Sequence, residues 1–192
     1  MDKIVAISRQ YGSGGRRIGQ LVAERLGIPF YDKEIIQQAA GQSGIHASHF
    51  TEADQTGAGS PLYPLAPGVP FELPIQDRLY FAQRSAILAL AAPGPCVMVG
   101  RGAGEVLKGR QPLLRVFIYA EIEARIQRAL EEYQAPPEHI ERRIKEIDKK
   151  RMAYYAFYEG ASKQRTDHFD LCIDSGSLGI DGAVRVILSA CR

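Results

Sequence analysis

The sequence predicts an α/β fold: a five-stranded parallel sheet with helices on both faces, a helical lid and a proline-rich insert. Two observations predict it. Short apolar runs of strand length alternate along the chain with stretches of 3.6-residue periodicity. The first apolar run also passes through a glycine-dense turn, "SRQYGSGGRRIG" (Ser8–Gly19), directly into a helical pattern. At 192 residues the chain suits a single domain, 1–192, with a sizeable core.

The elements follow in order. Lys3–Ser8 (KIVAIS) is a nearly continuous apolar run, the pattern of a strand buried on both faces. Ile18, Leu21, Val22 and Leu26 recur at helical spacing, and Gly27 suits the residue that ends the helix. Ile28–Tyr31 reads as a second strand, after which Asp32 stands where a helix N-cap belongs. Residues 42–75 change character: Pro61, Pro64, Pro67, Pro70 and Pro74 recur every three or four positions. Proline at that density excludes helix and central strand, so the segment is expected to be an insert covering a site, with a passive surface excursion as the alternative. A helix from about Ile75 to Ala92 follows, burying Leu79, Ala82, Ala86, Ile87 and Leu90. Cys96–Gly100 and Leu113–Ala120 are the third and fourth strands, and Cys96 and Cys172 are expected in the core. A helical region follows between about 121 and 160. Its first helix turns Ile122, Ile126, Ala129 and Tyr133 inward, leaving Arg125 and Arg128 on one flank. After "APP" (Ala135–Pro137) a second helix carries Ile140, Ile144 and Ile147 on its stripe. Phe169–Asp174 is the fifth strand and 180–191 the closing helix.

Charge and composition exclude several function classes. A net charge of +2 is too balanced for a protein that holds nucleic acid through bulk charge, so any anion site depends on locally placed arginines. Three scattered cysteines give neither a disulfide framework nor a metal-binding spacing. His46 and His49 have no further ligand cluster near them in sequence, so no metal site is expected. No apolar run approaches the ~18 residues that span a bilayer, and the N-terminus enters a strand without signal-peptide architecture. A cytoplasmic protein without membrane or nucleic-acid partners is expected.

The glycine turn is the strongest chemical signal. Where a strand enters and a helix leaves, consecutive N–H groups and the positive helix end form a cradle for phosphate oxygens. Gly12, Ser13, Gly14 and Gly15 would form that cradle, with Arg16 and Arg17 immediately after. Such turns also serve as simple bends. Arg101, just beyond the third strand, sits where parallel sheets bind ligands.

Together, "IVAISRQYGSGGRRIG" with "LVAERLG", "VMVGRGAGEVL", "IKEIDKKRMAYYAFYEG" and "FDLCID" resemble the cytidylate kinase-like family, within the P-loop nucleoside monophosphate kinases. The resemblance spans most of the chain. It implies transfer of the γ-phosphoryl group of ATP, with Mg²⁺, to a nucleotide or related small phosphorylated acceptor. It further implies an acceptor segment after strand two, here containing Asp32, and an arginine-rich lid, here the region of about 121–160 with Arg125, Arg128 and Arg151 beside Lys149 and Lys150.

The departures from that pattern are specific. A P-loop carries lysine on the β/γ-phosphates and a hydroxyl on Mg²⁺. A gapless match puts Gly15 at the lysine and Arg17 at the hydroxyl; one extra loop residue would bring Arg16 to the lysine instead. Either arginine could supply the charge, and neither can ligate a metal. Gly102 replaces an aspartate after Arg101, Val99 an often acidic residue, and Ile147 and Tyr154 two nucleoside-gripping arginines. The alternative expectation is a nucleotide-binding sensor or scaffold that has lost catalysis.

Overall fold

The computed structural model describes residues 3–50, 73–110, 112–159 and 168–191. Five strands, β1 (Ile4–Arg9), β2 (Phe30–Tyr31), β3 (Val97–Val99), β4 (Leu113–Tyr119) and β5 (Leu171–Asp174), pair in parallel in the order β2-β3-β1-β4-β5. β1 is central because it has no polar side to offer solvent. Ile4 and Ala6 enter one core layer, Val5 and Ile7 the other, and all four are buried. That two-residue alternation explains an unbroken apolar run in a strand covered on both faces.

Seven helices complete the described residues: α1 (Gly15–Leu26), α2 (Lys33–Ser43), α3 (Ile75–Ala91), α4 (Ala103–Val106), α5 (Ile122–Glu131), α6 (Ile140–Glu159) and α7 (Ser175–Ala190). The helix α1 places Ile18, Val22 and Ala23 beside Ala183, Val184 and Ile187 of α7, covering the face of Val5 and Ile7. On the opposite face α2, α3 and α4 bring Ile35, Ala39, Leu79, Ile87 and Val106 onto Ile4, Ala6 and Met98. Because every strand runs the same way, all five carboxyl ends open on one edge of the sheet. There the chain places the glycine turn after β1, Asp32 after β2, Arg101 after β3 and Ser175 after β5.

Several details differ from the sequence-based expectations. The start of the expected insert is helical: α2 continues to Ser43, and a further helical turn begins at Ala47, with Phe50 fully buried. No proline lies in 42–50, so nothing there opposes helix. Most of that insert, 51–72, lies outside the described residues, as does residue 160 of the lid. Cys96 is buried, but Cys172 is exposed, because β5 is an edge strand. The closing helix starts at Ile180 as expected, but a short helical turn precedes it at 175–178, separated from it by the non-helical Gly179 and capped by Asp174, whose carboxylate accepts from the Gly176 and Ser177 N–H groups at 2.8 and 3.3 Å. The short helix α4 was not anticipated. In α5 it is Arg125, 6% exposed, that turns inward beside Ala129, whereas Tyr133 remains 40% exposed. The backbone of the glycine turn offers Arg125 polar partners that an aliphatic face lacks.

Candidate active site

Three successive loop carbonyls are each held by a side-chain donor from another element. Arg125 Nε donates to Tyr11 O at 2.7 Å, Arg128 Nη1 to Gly12 O at 2.7 Å, and Ser175 Oγ to Ser13 O at 2.6 Å. Gln10 ties the loop to β4: its N–H donates to Ile118 O at 3.0 Å, and its Oε1 accepts from Ala120 N–H at 3.2 Å. Gly12 has φ +82°, and a Cβ there would lie 2.6 Å from the Arg125 carbonyl oxygen, so only glycine permits this approach. Gly14, also left-handed, precedes the first turn of α1. The N–H groups of Gly15, Arg16 and Arg17 have no acceptor within the helix, and no side chain caps it. With the carbonyls anchored elsewhere, these amides form the loop's anion-seeking side.

Arg125 and Arg128, expected in a lid, are thus bonded to the loop itself. Arg125 also pairs with Asp148 of α6, and Asp148 accepts from the Tyr11 N–H at 2.8 Å. Arg151 lies over the Tyr11 ring at 5.9 Å, with Nη1 4.0 Å from Asp148. Tyr133 packs edge-on against Tyr11 at 5.6 Å. Its phenol pKa is raised, mainly by burial, with Arg128 and the Gly14 N–H opposing that shift. At the far end of α6, Tyr154 packs against Tyr80 of α3 with ring centroids 6.3 Å apart.

Of the two candidate loop arginines, Arg16 turns to Asp32, its Nε donating to Oδ2 at 2.6 Å. Asp32 occupies the N-cap position of α2, yet its carboxylate makes no cap bond; Glu34 instead reaches back to the Asp32 N–H at 2.9 Å. Asp32 is 7% exposed, so its ion pair fixes the β2 end against the start of α1. Arg17 is exposed and has no ion-pair partner among the described residues. Ser13 is fully buried, its hydroxyl donating to Gln10 O at 2.9 Å, so that donor serves the loop rather than a ligand.

Arg101 stands out in backbone terms. Gly100, Arg101 and Gly102 have φ of +80°, +58° and +68°, three left-handed residues in succession. A non-glycine residue there carries about 1 kcal/mol or more of strain, a cost that collects at ligand sites. The turn follows β3 directly, at the sheet's carboxyl edge.

Sequence reasoning missed three residues here. Asp148 and Ser175 gave no local signal, because their roles depend on distant backbone. Arg9 did have one: it ends a buried strand at the sheet's carboxyl edge, the same logic that singled out Arg101. Its side chain runs past Gly15, where a Cβ would lie 2.7 Å from Arg9 Cβ. It ends at Gly100, where a Cβ would fall against the guanidinium, 2.9 Å from Cζ.

For a nucleoside triphosphate, the amide cradle and its surrounding arginines fit the phosphate chain. For Mg²⁺ the donor set does not: no group of three His, Cys, Asp or Glu side chains converges among the described residues, and no hydroxyl projects from the helix start. His46 is exposed and pairs with Ser48 at 2.9 Å. Cys96, its thiol pushed up to about 11 by burial, is inert core. No helix among the described residues is long and apolar enough to cross a membrane.

The strand order and the glycine turn between β1 and α1 define the fold of the small P-loop kinases. A shikimate kinase from Acinetobacter baumannii in complex with shikimate superposes with a TM-score of 0.58 at 15% identity, covering 100% of this chain and 93% of that one. A gluconokinase from Sinorhizobium meliloti gives 0.56 at 14%, covering 98% and 93%. An uncharacterised protein from Eubacterium ventriosum gives 0.72 at 23%, covering 97% and 96%. At these identities the likeness is one of fold. The chain belongs to the cytidylate kinase-like family, whose pattern matches residues 4–177. It is also 29% identical over 189 residues to a cytidylate kinase from Archaeoglobus fulgidus, covering 97% of this chain and 93% of the relative. Family and fold together support nucleotide-kinase function.

Proposed function

We propose that the chain is a cytoplasmic kinase transferring the γ-phosphoryl group of ATP to a nucleoside monophosphate, cytidylate or a related one, or to a similar small phosphorylated acceptor. One observation carries this reading: the carbonyls of Tyr11, Gly12 and Ser13 are anchored by Arg125, Arg128 and Ser175, which leaves the loop's amide side to anions. The donor phosphates would lie on the amides of Gly12–Arg17, with Arg16 or Arg17 adding charge. Arg101 would hold the acceptor phosphate at the sheet's carboxyl edge, with Asp32 positioned beside it through Arg16. An acceptor phosphate oxygen then bonds to the γ-phosphorus as the bond to the β-phosphate bridging oxygen breaks, releasing ADP. Arg125, Arg128 and Arg151 hold the loop in place while charge redistributes on the transferring group. Mg²⁺ arriving with ATP would neutralise β/γ charge. A phosphate monoester is already ionised near neutral pH and needs no general base. That suits a site whose carboxylates are already engaged, Asp32 by Arg16 and Asp148 by Arg125.

The test is ATP consumption against a panel of nucleoside monophosphates beside gluconate and shikimate. Turnover with one or more monophosphates and none with the alcohols is expected. ATP binding without turnover on any acceptor would instead favour a sensor, the reading suggested by the missing lysine and the internally bonded Ser13 hydroxyl.

A further inference from the structure

We propose that Arg9 supplies, from the strand side of the loop, the phosphate-binding charge that a P-loop lysine supplies from the helix side. The assignment rests on the kinase reading and deepens it. Its basis is a pair of steric gaps that only Arg9 fills. Gly15, at the lysine position of the gapless match, would press its Cβ to within 2.7 Å of Arg9 Cβ and 3.1 Å of Arg9 Cγ. These are stem atoms, next to the backbone, which cannot swing aside as a side-chain end can. Position 15 is therefore glycine because the arginine stem occupies the space any side chain there would enter.

The second gap lies at the far end of the same side chain. The guanidinium rests against Gly100, where a Cβ would lie 2.9 Å from Cζ and 3.1 Å from Nη2. So Arg9 spans from the start of α1, on the donor side, to the strained Gly100–Gly102 turn that carries Arg101, on the acceptor side. Arg9 is half-buried and is the register partner of Ile118 on β4, whose Cβ also lies 3.5 Å from the Cβ position of Gly15. A planar guanidinium at that boundary can hold two phosphate oxygens at once, which an ammonium group cannot do with the same fixed geometry. Arg9 would thus contact the γ-phosphoryl group between donor and acceptor.

The exchange of arginine for lysine makes a reciprocal prediction. Binding of the non-hydrolysable ATP analogue AMP-PNP, with Mg²⁺, is measured by calorimetry on the whole chain. Arg9→Met, which keeps the stem volume and removes the charge, should weaken binding about tenfold or more. Gly15→Lys alone should also weaken it, because the new Cβ collides with the Arg9 stem. The double variant Arg9→Gly with Gly15→Lys removes that collision, restores a helix-side lysine, and should recover binding to within about threefold of the wild type. Undiminished binding by Arg9→Met overturns the assignment, as does a cooperatively folded double variant that binds no better than Arg9→Met. If the double variant fails to fold, the Arg9→Met comparison decides alone. Failure of the wild type to bind AMP-PNP removes the kinase reading and this assignment together; binding that is indifferent to Arg9 removes the assignment only.

Discussion

Asp148 on α6 accepts a hydrogen bond from the Tyr11 amide at 2.8 Å while pairing with the buried Arg125, so one carboxylate ties α6 to the glycine turn. Removing it would leave Arg125 as an uncompensated buried cation. Asp148→Ala is expected to cost about 3 kcal/mol in denaturant unfolding, with an unchanged m-value. It should also speed amide exchange in residues 10–15. Asp148→Asn, which can still accept from the Tyr11 N–H, should fall between Ala and wild type. Equal losses in both variants would show that charge alone matters.

Arg101 allows strain to be separated from chemistry. Arg101→Ala and Arg101→Gly both remove the guanidinium, but only glycine accepts φ near +58° without penalty. The glycine variant should be the more stable by about 1 kcal/mol, measured by thermal or denaturant unfolding. Both should lose acceptor use far more than ATP affinity, and to the same extent. A glycine variant no more stable than the alanine one would remove the strain argument.

Arg17 is expected to matter to turnover rather than folding, and Arg16 to both. The Arg16–Asp32 pair is half-exposed on the arginine side but buried on the aspartate side, so Arg16→Ala, which leaves that carboxylate without its cation, should cost about 1–3 kcal/mol in denaturant unfolding. Turnover should fall roughly 10²-fold if Arg16 adds charge to the donor phosphates. Arg17→Ala provides the comparison. Unchanged steady-state rates in both variants would exclude either arginine from the donor site.

Stability should decline in acid through Asp170 and Asp174. The hydrogen bond from Arg115 holds the Asp170 carboxyl below its ordinary 3.8, and Ser177 does the same for Asp174. A carboxyl with a depressed folded pKa contributes stability that is full above its unfolded value and disappears as pH falls through the folded one. Unfolding free energy should therefore change little from neutrality to about pH 5 on account of these groups and fall below about pH 4. Asp170→Asn should flatten that acid slope, and an unaltered slope would assign it to other carboxylates.

The strands and most helices were legible because each carries its own periodicity: Ile4–Ile7 buries both faces, and Ile18, Val22 and Ala23 form a single stripe. Long-range polar contacts were not. Helical spacing alone turned Arg125 to a flank, whereas the structure turns it inward to meet Tyr11 O and Asp148, partners 114 and 23 residues away. Likewise, Gly15 read as a lost lysine, and only the path of Arg9 beside it gives the glycine a steric reason. The left-handed conformation of Arg101 has no composition signal beyond its two flanking glycines. The edge position of β5, which exposes Cys172, depends on a strand order that no local pattern contains.

The central claim is that the glycine turn is the donor-phosphate site, and the most direct measurement is a crystal structure with AMP-PNP and Mg²⁺. The β- and γ-phosphate oxygens should lie within about 3 Å of N–H groups in Gly12–Arg17, on the side opposite the carbonyls held by Arg125, Arg128 and Ser175. A triphosphate bound elsewhere on the chain, with those amides facing only solvent, would contradict it.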